Sequence, residues 1–263
     1  MTDSSQESIN RRVYRSPLLV AAYARRRLRA AEQAFVDRRY NDISGARILE
    51  IGMGGGRITR HLLPLSRSDV GVDISSAMVA YCRRVLPTAS FLVGDACDLA
   101  EHRSGSYDLV VAGANVLDVL SHEGRLQALA EIHRVLVAGG LFYFSSHNRN
   151  SRRASGEARQ GPTLRMMKNP YRQARSMANY AIGTVNHRRL REYQRGEPQY
   201  AIWNDDAHSW RLLHYYIDRE TQADQLDAAG FELAETLGMD GQPLEPLADD
   251  SHFTELHYIA TRV

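Results

Sequence analysis

A short apolar run, Arg47-Ile-Leu-Glu-Ile51, passes directly into Gly52-Met-Gly-Gly-Gly56 and then into a helical pattern reaching about Leu65. Glycines let a chain turn sharply out of a strand and bring its backbone close to a ligand. Strand, glycine turn and helix in this order open a parallel α/β sheet. The next segments keep the alternation. Strands are expected at Asp69–Asp73, Ser90–Val93, Asp108–Ala112 and Leu141–Ser145. A helix capped by Ser75 or Ser76 runs to about Leu86. Another starts at Ser121, carries Leu126, Leu129, Ile132, His133 and Leu136 on one face, and ends at Gly139-Gly140.

The alternation stops at residues 148–217, a stretch longer than an ordinary connection. It reads as a helix near 162–182 and strand-like pieces near 187–193, 199–203 and 210–217. A helix Glu220–Ala229, a strand Phe231–Leu237 and a last strand Leu256–Thr261 complete the pattern. Before the first strand, residues 11–40 read as one or two amphipathic helices, with Leu18, Leu19, Ala22, Tyr23 and Leu28 at helical spacing. The expected organisation is a helical cap over residues 1–44, a core of 45–147 and 218–263, and an inserted α/β lid at 148–217. An insertion after the fifth strand lies over the carboxyl ends of the strands, where open α/β sheets bind ligands.

Of 263 residues, 43% are hydrophobic and 24% charged, an ordinary composition for a soluble domain. No apolar run approaches the roughly 20 residues of a membrane span. The N-terminus is polar and lacks a signal-type stretch, so a cytoplasmic location is expected. The net charge of +2 implies no polyanionic partner. Arginines do cluster, at Arg11, Arg12, Arg15 and Arg25–Arg29, and again at Arg149, Arg152, Arg153 and Arg159. They read as solvated faces first and as an anion-binding surface second. Cys82 and Cys97 make no disulfide framework, and ten histidines without HExxH or CxxC companions give no metal motif. No metal is expected.

The glycine loop carries an acid, Glu50, two residues before its first glycine, and Arg57 stands where a dinucleotide fingerprint has its last glycine. Over residues 45–147 the chain resembles the class I S-adenosylmethionine-dependent methyltransferases, a Rossmann-like, doubly wound, mostly parallel fold. The resemblance implies S-adenosylmethionine as cofactor. It assigns Glu50, Gly52, Gly54 and Gly56 to the loop around the cofactor's amino acid end. Asp73, at the end of the second strand, would accept from the ribose hydroxyls, with Ile74 beside it. Met78 would pack on the adenine face, Asp95 would accept from the adenine amino group, and the Ala96 backbone would meet a ring nitrogen. Asn115 follows the fourth strand at the cofactor. Family members that methylate nucleobase and glutamine amino groups carry Asn-Pro-Pro-Tyr or Asp-Pro-Pro-Tyr there. This chain has Gly113-Ala-Asn115-Val, which argues against that chemistry. Asn169-Pro-Tyr171 reads as a helix break.

His147, directly after the fifth strand, is the first candidate for a general base, with a pKa near that of a free imidazole. Orienting a loop is its other reading. Asp118 and Asn115 compete for the catalytic role, and Tyr14 follows them. Tyr23, His147, Asn148, Trp203 and Tyr215 are the candidate substrate contacts. The aromatic strands of the insertion equally suit the core of a lid sheet. The expected activity is methyl transfer to nitrogen or oxygen of a small molecule, with oligomeric state open. An RNA methyltransferase, a nicotinamide-dependent oxidoreductase and a non-catalytic cofactor-binding protein are the alternatives. Nucleic acid is disfavoured because no RNA-binding module is appended.

Overall fold

The computed structural model describes residues 4–152, 154 and 170–263. Arg153, Arg159, Asn169 and the first part of the helix expected near 162–182 lie outside the described residues.

The N-terminal segment is four helices, α1 (Ser4–Tyr14), α2 (Val20–Tyr23), α3 (Ala30–Arg38) and α4 (Tyr40–Ile43). Ser16-Pro17 interrupts the expected longer helices, because proline has no N–H and restricts the residue before it. Strand β1 (Arg47–Ile51) leads through the glycine turn to α5 (Thr59–Leu62). Then come β2 (Ser68–Asp73), α6 (Ser76–Val85), β3 (Ser90–Val93), β4 (Tyr107–Ala112), α7 (His122–Val135) and β5 (Leu136–Asn148). The insertion holds α8 (Pro170–Leu190), β6 (Arg195–Gly196), β7 (Ala201–Asn204) and β8 (Leu213–Ile217). The chain closes with α9 (Arg219–Ala228), β9 (Phe231–Leu237) and β10 (Glu255–Arg262). Among the described residues no helix is long and apolar enough to cross a membrane.

Among the described residues ten strands share one sheet, in the order β3-β2-β1-β4-β5-β8-β7-β6, with β10 paired to β5 and β9 to β10. The pairs β1–β2, β2–β3, β1–β4, β4–β5 and β5–β8 are parallel. The order reverses between β1 and β4, the topological switch point at which such sheets bind ligands. Successive residues of β4 face opposite sides, as the strand period requires. Leu109 and Val111 pack with Phe35, Ile43, Ile48 and Tyr143 on one side. Val110 and Ala112 pack with Leu49, Leu129, Ile132 and Phe142 on the other.

Ser121 caps α7, its hydroxyl accepting from Gly124 N at 3.0 Å. Gly139-Gly140 does not end that helix. The helix stops at Val135, and Leu136 already pairs with Tyr107 as the start of β5. Residues 187–193, expected as strand, finish α8 and a single 3₁₀ turn. Asn186 and His187 face inward there, bonding Ser209 O and Asn204 Oδ1, so tertiary contacts set the helix. The β7–β8 hairpin grows from the carboxyl end of β5, where His147 and Asn148 pair with Tyr216 and Ile217.

Candidate active site

The glycine turn holds its shape through positions that a side chain would spoil. Gly54 has φ +54°, and a Cβ there would stand 3.1 Å from the Tyr23 ring. Gly56 faces the opposite way, toward Leu86 and Cys82, so it seats the loop on α6 and does not line the cleft. Glu50 is buried beneath the loop and accepts from Thr59 Oγ1 at 2.5 Å. Burial, reinforced by the charge of Asp69, pushes its carboxyl well above the usual range. Arg57 turns away from the loop into a buried ion pair with Glu32 of α3.

A narrow cleft with a cavity volume of about 120 Å³ opens beside the loop. Gly52, Gly54, Asp73, Ile74, Met78, Asp95, Ala96 and Asn115 line it, joined by Tyr14 and Tyr23. Asp73 ties β2 to the loop: one oxygen accepts from Gly54 N at 2.9 Å, the other from Ser75 N at 2.8 Å. A carboxylate offers about four lone-pair sites, so each oxygen keeps one for a ligand hydroxyl. Burial raises the Asp73 pKa against these two bonds. Asp95 accepts from Cys97 N at 3.1 Å and pairs with Arg11 Nη2 at 2.6 Å. Arg11 was read as part of a solvated face; in the fold it straps α1 to the cleft. Gln6 and Asn10 fasten the same helix, donating to Leu120 O and Leu213 O at 2.8 and 2.7 Å.

Past Asn115, the fourth-strand loop meets the end of β5. Ala114 and Asn115 both have φ +59°, in the left-handed region. The Asn115 amide donates to Glu255 Oε2 at 2.9 Å and lies 3.2 Å from His147 Nε2. His147 Nδ1 is 2.6 Å from Asp118 Oδ2. With Nδ1 donating to that carboxylate, Nε2 is the unprotonated nitrogen of the neutral ring. Burial alone would lower the imidazole pKa. The hydrogen bond and charge of Asp118, with Asp205 and Glu255 beyond, raise it above its ordinary value, so the expectation of an unperturbed imidazole is corrected.

Four further expectations change. Asp118 is fully buried, with Arg125 Nη1 at 2.6 Å, the Ser146 hydroxyl at 2.7 Å and His147 Nδ1 around it. It orients His147 and cannot reach a substrate as a base. Tyr14 lines the cleft, but burial first, and then neighbouring Tyr23, hold its hydroxyl well above its usual pKa. It keeps its proton at neutral pH and faces the cleft as a hydroxyl donor. Asn148 is fully buried and donates to Asp250 O and Phe253 O, bracing a loop and not a substrate. Tyr215 is fully buried, stacked on Tyr200 at 4.8 Å and bonded to His122, so it is core. Trp203 packs on Tyr216 at the hairpin, 5.0 Å between centroids, and Tyr23 bonds His208 Nε2 at 3.1 Å.

Three residues that sequence reasoning passed over sit in this neighbourhood. His208, with φ +50°, places its ring against both Tyr14 and Tyr23. Burial and the charge of Arg26 push its pKa down to about 4. Asp205 accepts from His214 Nδ1 at 2.6 Å and from the Tyr216 hydroxyl at 2.9 Å. Burial works against that carboxylate, yet His214 and His147 hold it well below the usual range.

Comparison with known proteins agrees with this architecture. Residues 48–140 match a family model described as a methyltransferase domain. A ubiquinone biosynthesis O-methyltransferase of Xanthomonas oryzae pv. oryzae is 28% identical over 112 residues, covering 41% of this chain and 46% of the relative. A phthiotriol/phenolphthiotriol dimycocerosates methyltransferase of Mycobacterium tuberculosis is 36% identical over 123 residues, covering 44% and 43%. The chain thus spans less than half the length of the curated relatives it matches. The crystal structure of Burkholderia thailandensis 1,6-didemethyltoxoflavin-N1-methyltransferase, with bound 1,6-didemethyltoxoflavin and S-adenosylhomocysteine, superposes with a TM-score of 0.55 at 15% identity. It covers 89% of this chain and 78% of the other, a likeness of fold.

Proposed function

We propose that this chain, whose residues 48–140 match a methyltransferase-domain model, transfers a methyl group from S-adenosylmethionine to an oxygen or nitrogen atom of a small molecule. The observation that carries the reading is the cleft at the sheet's switch point, where Gly54, Asp73 and Asp95 come from three successive strand ends and turns and Met78 from helix α6. Asp73 would accept from the ribose hydroxyls and Asp95 from the adenine amino group, each a charge-assisted bond. Met78 would pack on the adenine, and the glycine turn would hold the amino acid end.

Methyl transfer needs the sulfonium methyl and the acceptor aligned, with water excluded. Helix α1, Tyr14 and Tyr23 lie along the cofactor cleft, and the β7–β8 hairpin stands at the ends of β4 and β5 as part of a lid. His147 is the catalytic group at the acceptor, held by Asp118. O-methylation, the activity of the ubiquinone-biosynthesis relative, and N1-methylation, that of the structural neighbour, are both consistent with a small-molecule acceptor. A cytoplasmic location is part of the same proposal. Calorimetric titration with S-adenosylhomocysteine and with NAD tests the cofactor, and labelled S-adenosylmethionine with fractionated cell extract tests the acceptor. Binding of NAD in place of S-adenosylhomocysteine would overturn the reading.

A further inference from the structure

His147 is joined on its Nε2 side by two side chains from the β7–β8 hairpin. Asp205 Oδ2 stands 4.0 Å from His147 Nε2 and 2.6 Å from His214 Nδ1. One such atom from each residue lies within 4.8 Å of the others. The two imidazole rings stack with centroids 4.8 Å apart. Two imidazoles and a carboxylate therefore converge from the end of β5, the turn after β7 and β8.

We propose that His147, Asp205 and His214 bind a divalent transition-metal ion of the zinc type, which activates a hydroxyl-bearing methyl acceptor. The inference rests on the methyltransferase reading and gives His147 its role there, as a ligand. Two nitrogens and one carboxylate oxygen hold a catalytic ion while leaving positions for water or substrate. Metal-bound histidines commonly donate their other ring N–H to a carboxylate, which fixes the tautomer and the ring. His147 already does this through Asp118. Asp205 is braced in the same way, its Oδ1 accepting from Ala207 N at 2.9 Å.

Around an ion with bonds of ~2.1 Å, ligand atoms sit about 3.0–3.4 Å apart. The separations of 2.6 and 4.0 Å bracket that spacing, so His214 has to withdraw slightly and His147 to approach. The hydrogen bond between His214 and Asp205 occupies the place of the ion, so on binding the Nδ1 proton leaves to solvent while Nε2 takes one up, and His214 binds as its neutral Nε2-protonated tautomer. His147 gives up its 3.2 Å contact with Asn115, which keeps its bond to Glu255. The side chains of His147 and Asp205 are 17% and 21% exposed, which leaves the ion and its acceptor an entry path.

Asn115 lines the cofactor cleft and touches His147, so the ion lies on the donor's side. An acceptor hydroxyl bound to it loses its proton to solvent more readily. The resulting oxyanion forms a C–O bond to the methyl carbon. The C–S bond breaks as its electron pair passes to sulfur, leaving a neutral thioether.

The test uses the full chain stripped by chelator, titrated with Zn²⁺ by calorimetry and with Co²⁺ by visible absorption. Expected are one ion per chain and d–d bands of a nitrogen–oxygen site. His214→Gln and Asp205→Asn should each weaken uptake at least tenfold, on the scale of lost ligand-shell partners, with S-adenosylhomocysteine affinity unchanged. Elemental analysis of the purified chain separates zinc from iron. No uptake, or uptake unaltered in both variants, overturns the ion site. If the stripped chain then still binds S-adenosylhomocysteine and turns over, the methyltransferase reading stands with His147 as a base. Ion binding without S-adenosylhomocysteine binding would instead sink that reading alone.

Discussion

Arg11 of α1 and Asp95 at the end of β3 form an ion pair 2.6 Å long, so the N-terminal helix is fastened to a residue of the cofactor cleft. Both side chains keep about a third of their exposure, 30% and 27%, so solvent limits the pair to roughly 1 kcal/mol or less. Arg11→Ala is expected to speed release of S-adenosylhomocysteine by about two- to fivefold, as that energy implies. Stopped-flow displacement reads the rate. An unchanged off-rate would mean that α1 does not govern the cleft.

Asp73 is expected to be the costlier loss. Removing a charged acceptor that faces ligand hydroxyls costs roughly 1.5–3 kcal/mol, or about ten- to a hundredfold in affinity. Asp73→Ala should show that drop in calorimetry with S-adenosylhomocysteine. Equal affinity in mutant and wild type would remove the second-strand acid from the cofactor site.

Asp69 makes stability depend on pH. Its carboxylate is buried in β2 with neither oxygen hydrogen-bonded, and burial raises its pKa from 3.8 to about 7. A carboxyl whose folded pKa is raised favours folding while it stays protonated. That advantage is complete below the unfolded value and is lost as pH rises toward about 7. Asp69→Asn should therefore gain roughly 2–4 kcal/mol of stability at pH 8 and flatten the dependence between pH 4 and 7. Urea unfolding across that range is the measurement, and parallel curves for the two proteins would contradict it.

Tyr215 separates core from pocket in the hairpin. Its hydroxyl meets His122 Nδ1 at 2.9 Å, and its ring is fully buried. Tyr215→Phe should cost about 1 kcal/mol of stability, the usual value of one hydrogen bond, and leave acceptor KM unaltered. A changed KM at unchanged stability would return Tyr215 to the substrate site.

The cleft proposed for the cofactor was legible in the sequence because most of its lining sits at a strand end or in the turn that follows, with Met78 in α6 an exception. Asp73 and Asp95 are found by locating β2 and β3, whose apolar runs are distinct. The acceptor side was not. Asp205 and His214 meet His147 only through the pairing of β8 with β5, and no spacing rule joins residues so far apart in the chain. Asp118 and Asn148 carried the right residue types at the right strand ends, yet their burial depends on Arg125 and on the loop at 250–253. The aromatic strands alternated as a pocket or a core would, and only packing told Tyr215 from Trp203.

The pairing of β8 with the last residues of β5 bears on how this chain can diversify. The same hairpin receives the anchoring bonds of Asn10 through Leu213, so the β7–β8 pair is structural mortar as well as cover. An insertion with a free perimeter can be exchanged whole between homologues, like a cassette. This one is stitched into the sheet and into α1, so wholesale exchange would unseat the helix beside the cofactor. New acceptors would be reached instead by point changes on the hairpin, as at Trp203, on a frame that stays put.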